Sequence, residues 1–201
     1  FDCETTGLNP QAGDEVISIS AVRVVHGKVQ LQEIFNQLVN PQRLIPAESI
    51  QIHGIRPEMV EGQPLITEVL PLFQRFAQGT VLVAHNAVFD MQFLNRKKEM
   101  AKVRMNNVVL DTAQLSYVVM PHQKDQGLDA VAKRLGVRVY ARHTSLGDAM
   151  TAAEVFVALL PLLKHKGIAT LRHAVEQTHS LEPGLHHSPQ PGDAQVSPKK
   201  Q

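Results

Sequence analysis

Asp2 and Glu4 stand two residues apart in the opening segment Phe1-Asp2-Cys3-Glu4. Strand side chains alternate between faces, so on a strand both carboxylates point one way and Cys3 points into the opposite layer. Like charges that close repel unless a cation sits between them, and hard divalent ions such as Mg²⁺ or Mn²⁺ take oxygen ligands of this kind. Asp-x-Glu alone is more often an ordinary solvated strand end, so the pair needs further groups to carry chemistry. A third acid, Asp90, closes His85-Asn86-Ala87-Val88-Phe89-Asp90, where a short apolar strand gives way to a helix. Asn86 as N-cap and Asp90 as a first-turn acid account for it structurally, yet the same junction is where open α/β sheets bind ligands. A fourth, Asp148, follows His143-Thr144-Ser145-Leu146-Gly147 ahead of a long helical run. Ser145 and Asp148 read as a Ser-x-x-acid capping box, which would make Asp148 structural and His143 a loop histidine beside it.

The elements that must position these groups follow from periodicity. Val16–Val25 and Val29–Val39 flank His26-Gly27-Lys28 and read as a β-hairpin behind a short first strand. Helical spacing follows over Pro46–Gly54 and Pro64–Gln78, with Ile66, Val69, Leu70, Phe73 and Phe76 as its apolar stripe. Thr80–Ala84 and Val108–Leu110 read as buried strands, each followed by helix: Ala87–Met100 after the first, then Asp111–Val119, Leu128–Leu135 and Leu146–Leu163. The order predicts a mixed α/β domain with helices on both faces of the sheet. That domain is expected to occupy 1–178. From His179 the chain turns to Pro, Gly, Ser, His and Gln, so 179–201 are expected to form a disordered tail.

Composition narrows the class. Lys and Arg number 20 against 19 acids, a formal charge of +1, which excludes a protein that grips long duplex by general phosphate neutralisation. One cysteine excludes a disulfide framework and a Cys-rich zinc module, and fits a reducing, cytoplasmic setting. No run approaches about 20 apolar residues, so no membrane contact is expected within this segment. Phe1 reads as a start inside the first strand, which leaves an upstream domain or anchor open. Arg96, Lys97, Lys98, Lys102, Arg104, Lys133, Arg134, Arg138 and Arg142 cluster near the acids in sequence and could guide a single strand, although any one of them is more often a solvated helix face. With no Trp and two Tyr, an extensive base-stacking platform is not expected.

Together, Asp2-x-Glu4-Thr5-Thr6-Gly7, His85-Asn86-Ala87-x-Phe89-Asp90 and His143-x4-Asp148, in that order, resemble the DEDDh (DnaQ-like) family of 3′→5′ exonucleases. This ribonuclease-H-like group includes the proofreading epsilon subunit of bacterial DNA polymerase III. The resemblance runs from Phe1 to about Leu163 and includes Ile52-His53-Gly54-Ile55, characteristic of the epsilon-like branch. It implies a ribonuclease-H-like mixed sheet. It also implies that Asp2, Glu4 and Asp148 bind a pair of Mg²⁺ or Mn²⁺ ions, that Asp90 holds the second ion directly or through water, and that His143 is the general base. His-x4-Asp matches the His form of the family, not its Tyr form. By the same resemblance Thr5, Thr6 and Leu8 receive the 3′-terminal nucleotide, Glu48 and His53 contact it, and Phe89 packs on a base. The chemistry is consistent: phosphodiester hydrolysis needs a deprotonated water and neutralisation of charge building on the phosphorus, and an imidazole with its ordinary pKa of about 6.5 is free to accept a proton at neutral pH. The expected reaction shortens single-stranded DNA from its 3′ end and releases 5′-mononucleotides, with a polymerase or upstream domain as a partner. An RNA-trimming or oligonucleotide-degrading enzyme is the alternative. A silent scaffold comes third, because it has no need of four mutually repelling acids.

Overall fold

The computed structural model describes residues 1–181; of the expected tail, residues 182–201 lie outside the described residues. Strand β1 (Asp2–Thr5) pairs antiparallel with β2 (Val16–Val25), and β2 with β3 (Lys28–Leu38). Strands β4 (Leu82–Ala84) and β5 (Val109–Asp111) form a parallel pair. The amino group of Phe1, just before β1, donates to the Val83 carbonyl of β4 at 2.7 Å.

Alternation along β2 decides what lies on each face. Ile19 points into the layer that holds α3 (Ile66–Phe76) and α4 (Ala87–Lys97), where Cys3, Val69, Leu70, Phe73, Phe93 and Leu94 are buried, and Ile17 packs against Ile45, Ile55 and Val60. Ser18 and Ser20 point to the other face, beneath α7 (Ser145–His165). There α5 (Thr112–Val119), α6 (Leu128–Leu135), α7 and α8 (Leu171–His179) build a second core around Leu115, Val131, Val155 and Leu159. Helices on both faces are as the sequence pattern predicts. Two shorter helices, α1 (Ala47–His53) and α2 (Pro57–Val60), cover the end of β2 through Ile45, Ile55 and Val60. The pattern does not announce α2, a single turn with too few residues to show a period. By length and composition α7 could cross a membrane, but half of that apolar stretch is buried within this fold. Beyond Phe1 the sheet opens into an apolar groove of about 860 Å³ between the far end of β2 and β4, lined by Val22, Val24, Phe76, Val81, Phe156 and Leu160 among others.

The start of α4 departs from expectation. Asn86 is the N-cap residue, but it adopts a left-handed conformation (φ +57°) and its side chain caps nothing. Asp111, at the end of β5, does so instead. Its carboxylate accepts from the N–H groups of Asn86 (3.1 Å) and Ala87 (3.0 Å), and from Ala113 (2.8 Å) as the cap of α5. One buried carboxylate thus fixes the starts of two helices at the ends of adjacent parallel strands, where unpaired donors converge. Asp111→Ala leaves those donors unsatisfied and is expected to destabilise the protein by about 2–4 kcal/mol. For a chain of this size that lowers the melting temperature by roughly 5–15 °C, which calorimetry measures directly.

Candidate active site

The acids are assembled from three elements. On β1, Asp2 and Glu4 face the α7 side, paired across the ladder with Ser20 and Ser18. The first turn of α7 supplies Asp148. Carboxylate oxygens of Asp2, Glu4 and Asp148 lie within 4.8 Å of one another. Asp90 enters from α4, and its Oδ1 accepts the Cys3 backbone N–H at 2.8 Å, which ties it to the peptide between the two β1 acids.

A chain of hydroxyls docks α7 onto this strand. Ser20 donates to Asn36 Oδ1 at 2.9 Å, so it accepts from Ser145 (2.7 Å), and Ser145 in turn accepts from Ser18 (2.6 Å). Ser145 is therefore a buried contact and not a cap. Thr144 is the N-cap, its hydroxyl accepting the Gly147 N–H at 3.1 Å. The Ser-x-x-Asp capping box expected from the sequence does not form, and Asp148 is left for other partners.

Those partners come from the preceding loop. Asp148 Oδ2 accepts from Arg142 Nη1 at 2.5 Å and from the backbone N–H of His143 at 3.2 Å. Oδ1 is buried with no hydrogen-bond partner among the described residues. His143 is exposed, with φ +59°. Its loop lies hard against the helix because residue 147 is glycine: a Cβ there would stand 2.0 Å from the Ala141 carbonyl oxygen.

Burial dominates the electrostatics. Asp2 titrates well above the usual carboxylate range, first through desolvation and then through repulsion from Asp90, Glu4 and Asp148. Burial, with repulsion from Asp148 and Asp90, raises Glu4 to about 8 against the opposing pull of Arg142. Asp90 rises to about 7 by burial, in part offset by the Cys3 N–H and the nearby amino terminus. An orphaned carboxylate oxygen beside two more desolvated acids is a hard-cation donor set, and the residues fit a divalent metal.

Other expected site residues are spread around this centre. The Thr5 hydroxyl donates to the Gly7 carbonyl (2.6 Å). Thr6 is fully buried and serves the loop, donating to Asp14 Oδ1 (3.3 Å) and accepting from the Glu15 N–H (3.0 Å). The Asp14 carboxylate packs so closely that any Cβ on Gly7 would lie 2.3 Å from it. Ser49 on α1 donates to the Thr6 carbonyl at 2.9 Å and binds that helix, with exposed Glu48, to the loop carrying Leu8, itself half exposed. His53 is buried, and its Nδ1 accepts the Ile55 N–H at 3.0 Å, so its proton sits on Nε2. Burial pushes its pKa down, and its Nε2 has no hydrogen-bond partner among the described residues. Phe89 is half-buried on α4, its ring 5.1 Å from that of Phe93.

Several of the basic residues have structural partners. Arg96 donates to Gln11 Oε1 (2.8 Å), Lys97 pairs with Glu15 (2.6 Å), and Arg142 bridges Asp148 and Asp129. Sequence reasoning placed Arg142 among strand-guiding cations; its contact with Asp148 depends on the loop fold, and only its adjacency to His143 could have flagged it.

Comparison with known proteins agrees with this geometry. A family model described as exonuclease (RNase_T) matches residues 1–156. The chain is 50% identical over 172 residues to a DNA polymerase III subunit epsilon-like protein of Rhodobacter capsulatus, covering 85% of this chain and 24% of that protein. It thus spans about a quarter of that relative's length. It is 37% identical over 167 residues to the DNA polymerase III subunit epsilon of Rickettsia typhi, covering 79% of this chain and 72% of the relative. Among solved structures, exonuclease X in complex with 5′ overhanging duplex DNA superposes with a TM-score of 0.70 at 26% identity, covering 88% of this chain and 96% of the other. The chain belongs to the exonuclease family, in its DnaQ-like 3′→5′ branch.

Proposed function

We propose that this chain is a divalent-metal-dependent exonuclease that shortens single-stranded DNA from the 3′ end and releases 5′-mononucleotides. The observation that carries the reading is the Asp148 carboxylate, grouped with those of Asp2 and Glu4, whose Oδ1 is buried and unpaired among the described residues while Oδ2 anchors the His143 loop. Asp2, Glu4 and Asp148 would hold Mg²⁺ or Mn²⁺, with Asp90 completing the set from α4. When bound, such ions supply the positive charge that offsets phosphate and stabilises a departing oxygen. His143, exposed and next to the acids, accepts the proton of the attacking water. The Thr5–Leu8 loop, Glu48 and His53 on α1, and Phe89 on α4 would receive the terminal nucleotide. The names of the relatives, polymerase III epsilon and epsilon-like, support DNA as the substrate and a polymerase as a partner.

The direct test is incubation of the purified chain with 5′-labelled single-stranded DNA or RNA of one sequence, with Mg²⁺, with Mn²⁺ or with EDTA. A metal-dependent ladder shortening from the 3′ end, faster on DNA and absent in Asp2→Ala, is expected; a faster RNA ladder would replace DNA with RNA in the proposal. His143→Ala is expected to lower kcat by about 10²–10⁴-fold and to leave metal binding intact. Equal loss of both would remove His143 from the base role.

The raised carboxylates carry a stability signature. Folding favours their protonated forms, so the stability they contribute is full below the ordinary carboxylate range, at about pH 4, and is lost as pH rises through about 7 for Asp90 and about 8 for Glu4. The metal-free melting temperature should therefore fall over that window. At pH 8, Mn²⁺ at about a hundredfold excess over its Kd should restore roughly 5–10 °C. Asp2→Asn should raise the metal-free value at pH 8 and abolish the restoration. A metal-free melting temperature that does not fall over this window would refute the raised titration of these buried acids.

A further inference from the structure

Arg142 lies beside the acids without belonging to them. Its guanidinium is held from both sides, Nη1 hydrogen-bonded to Asp148 Oδ2 at 2.5 Å and Nε in an ion pair with Asp129 Oδ1 at 2.6 Å that is not aligned as a hydrogen bond. Asp148 is nearly buried, with 7% of its side chain exposed, whereas the Asp129 side chain is 60% exposed. Asp129 sits in the first turn of α6, a helix anchored by buried Leu128, Val131 and Ala132. It takes no part in the cluster of Asp2, Glu4 and Asp148.

The two donors on Asp148 Oδ2 both come from the loop, the Arg142 side chain and the His143 N–H. Together they occupy Oδ2 and leave Oδ1 buried and unpaired among the described residues. The same loop holds His143 in a left-handed conformation, uncommon for a residue other than glycine. Among the described residues, Arg142 is the cation that pairs with the acid cluster, and a free guanidinium so near several carboxylates is a natural competitor for a metal ion. Asp129 engages its other side.

We propose that Asp129 and Arg142 form a latch on the His143 loop: Asp129 holds the guanidinium on Asp148 Oδ2, which leaves Oδ1 to the ion, keeps Arg142 out of the ion's place and sets the position of His143. Asp129 is then a positioning residue, acting through Arg142 and touching neither ion nor substrate. The role in turnover rests on the exonuclease reading; the role in metal affinity does not.

The test uses the 201-residue chain as wild type and as Asp129→Ala, Asp129→Glu, Arg142→Gln and the Asp129→Ala/Arg142→Gln double variant. Mn²⁺ affinity is read by calorimetry and kcat and KM on a labelled oligonucleotide. Because Asp129 is exposed, Asp129→Ala should fold normally, which its melting temperature checks. It is expected to weaken Mn²⁺ binding roughly tenfold and to lower kcat by about 10- to 100-fold with KM unchanged. Asp129→Glu should recover most of both. In the Arg142→Gln background, removing Asp129 should cost nothing further, since the residue acts through the arginine. Wild-type Mn²⁺ affinity and kcat in Asp129→Ala, or effects of the two substitutions that simply add, would overturn the latch. If the wild-type chain binds Mn²⁺ but degrades neither DNA nor RNA, the exonuclease reading falls, while weakened Mn²⁺ binding in Asp129→Ala would still uphold the latch.

Discussion

Carboxylates that must share a desolvated patch resist being brought together, and much of this structure answers that resistance. Asp2, Glu4 and Asp90 are all driven above their ordinary titration range by burial, with mutual repulsion adding to it at Asp2 and Glu4. A free chain would not hold such groups within a few ångströms. The geometry therefore has to be supplied by parts of the fold that are stable for other reasons: a β-hairpin with one face in an apolar core, and a long helix with its own packing against the sheet. The site is a local debt carried by a well-packed scaffold.

The scaffold holds the acids mostly through backbone and hydroxyl groups. Asp90 is located by a β1 peptide N–H, α4 by the Asp111 carboxylate, and the start of α7 by three serines stacked between it and β2. The neutral partners, at Asp90 and at the start of α7, suit this task. They set distances without adding further charge to a patch that has to remain attractive to a cation, and, among the described residues, the guanidinium of Arg142 is occupied by Asp148 and Asp129.

What could be read in the sequence was whatever is local. Asp2 and Glu4 share a face because strands alternate, and the order of strands and helices follows from apolar periodicity; both hold in the structure. What escaped was set by contacts between distant segments. Ser145 looks like a cap by spacing, but the strand beneath α7 presents two hydroxyls and draws it inward, which moves the cap to Thr144. Asn86 looks like the cap of α4, yet a carboxylate 25 residues later is already in place. In each case the local propensity was real, and a partner invisible at short range outweighed it.

The lone thiol has a separate consequence. Cys3 lies between the two β1 acids but faces the opposite layer, is 6% exposed, and is pushed well above the usual thiol range by burial and by Asp90 and Asp2. In the closed protein it is thus a poor nucleophile, and an alkylating reagent can reach it only when the strand parts from its neighbours. Its labelling rate is an intrinsic clock for the opening of the strand that carries Asp2 and Glu4, readable in the unmodified chain because the sequence holds no other cysteine to confuse the signal.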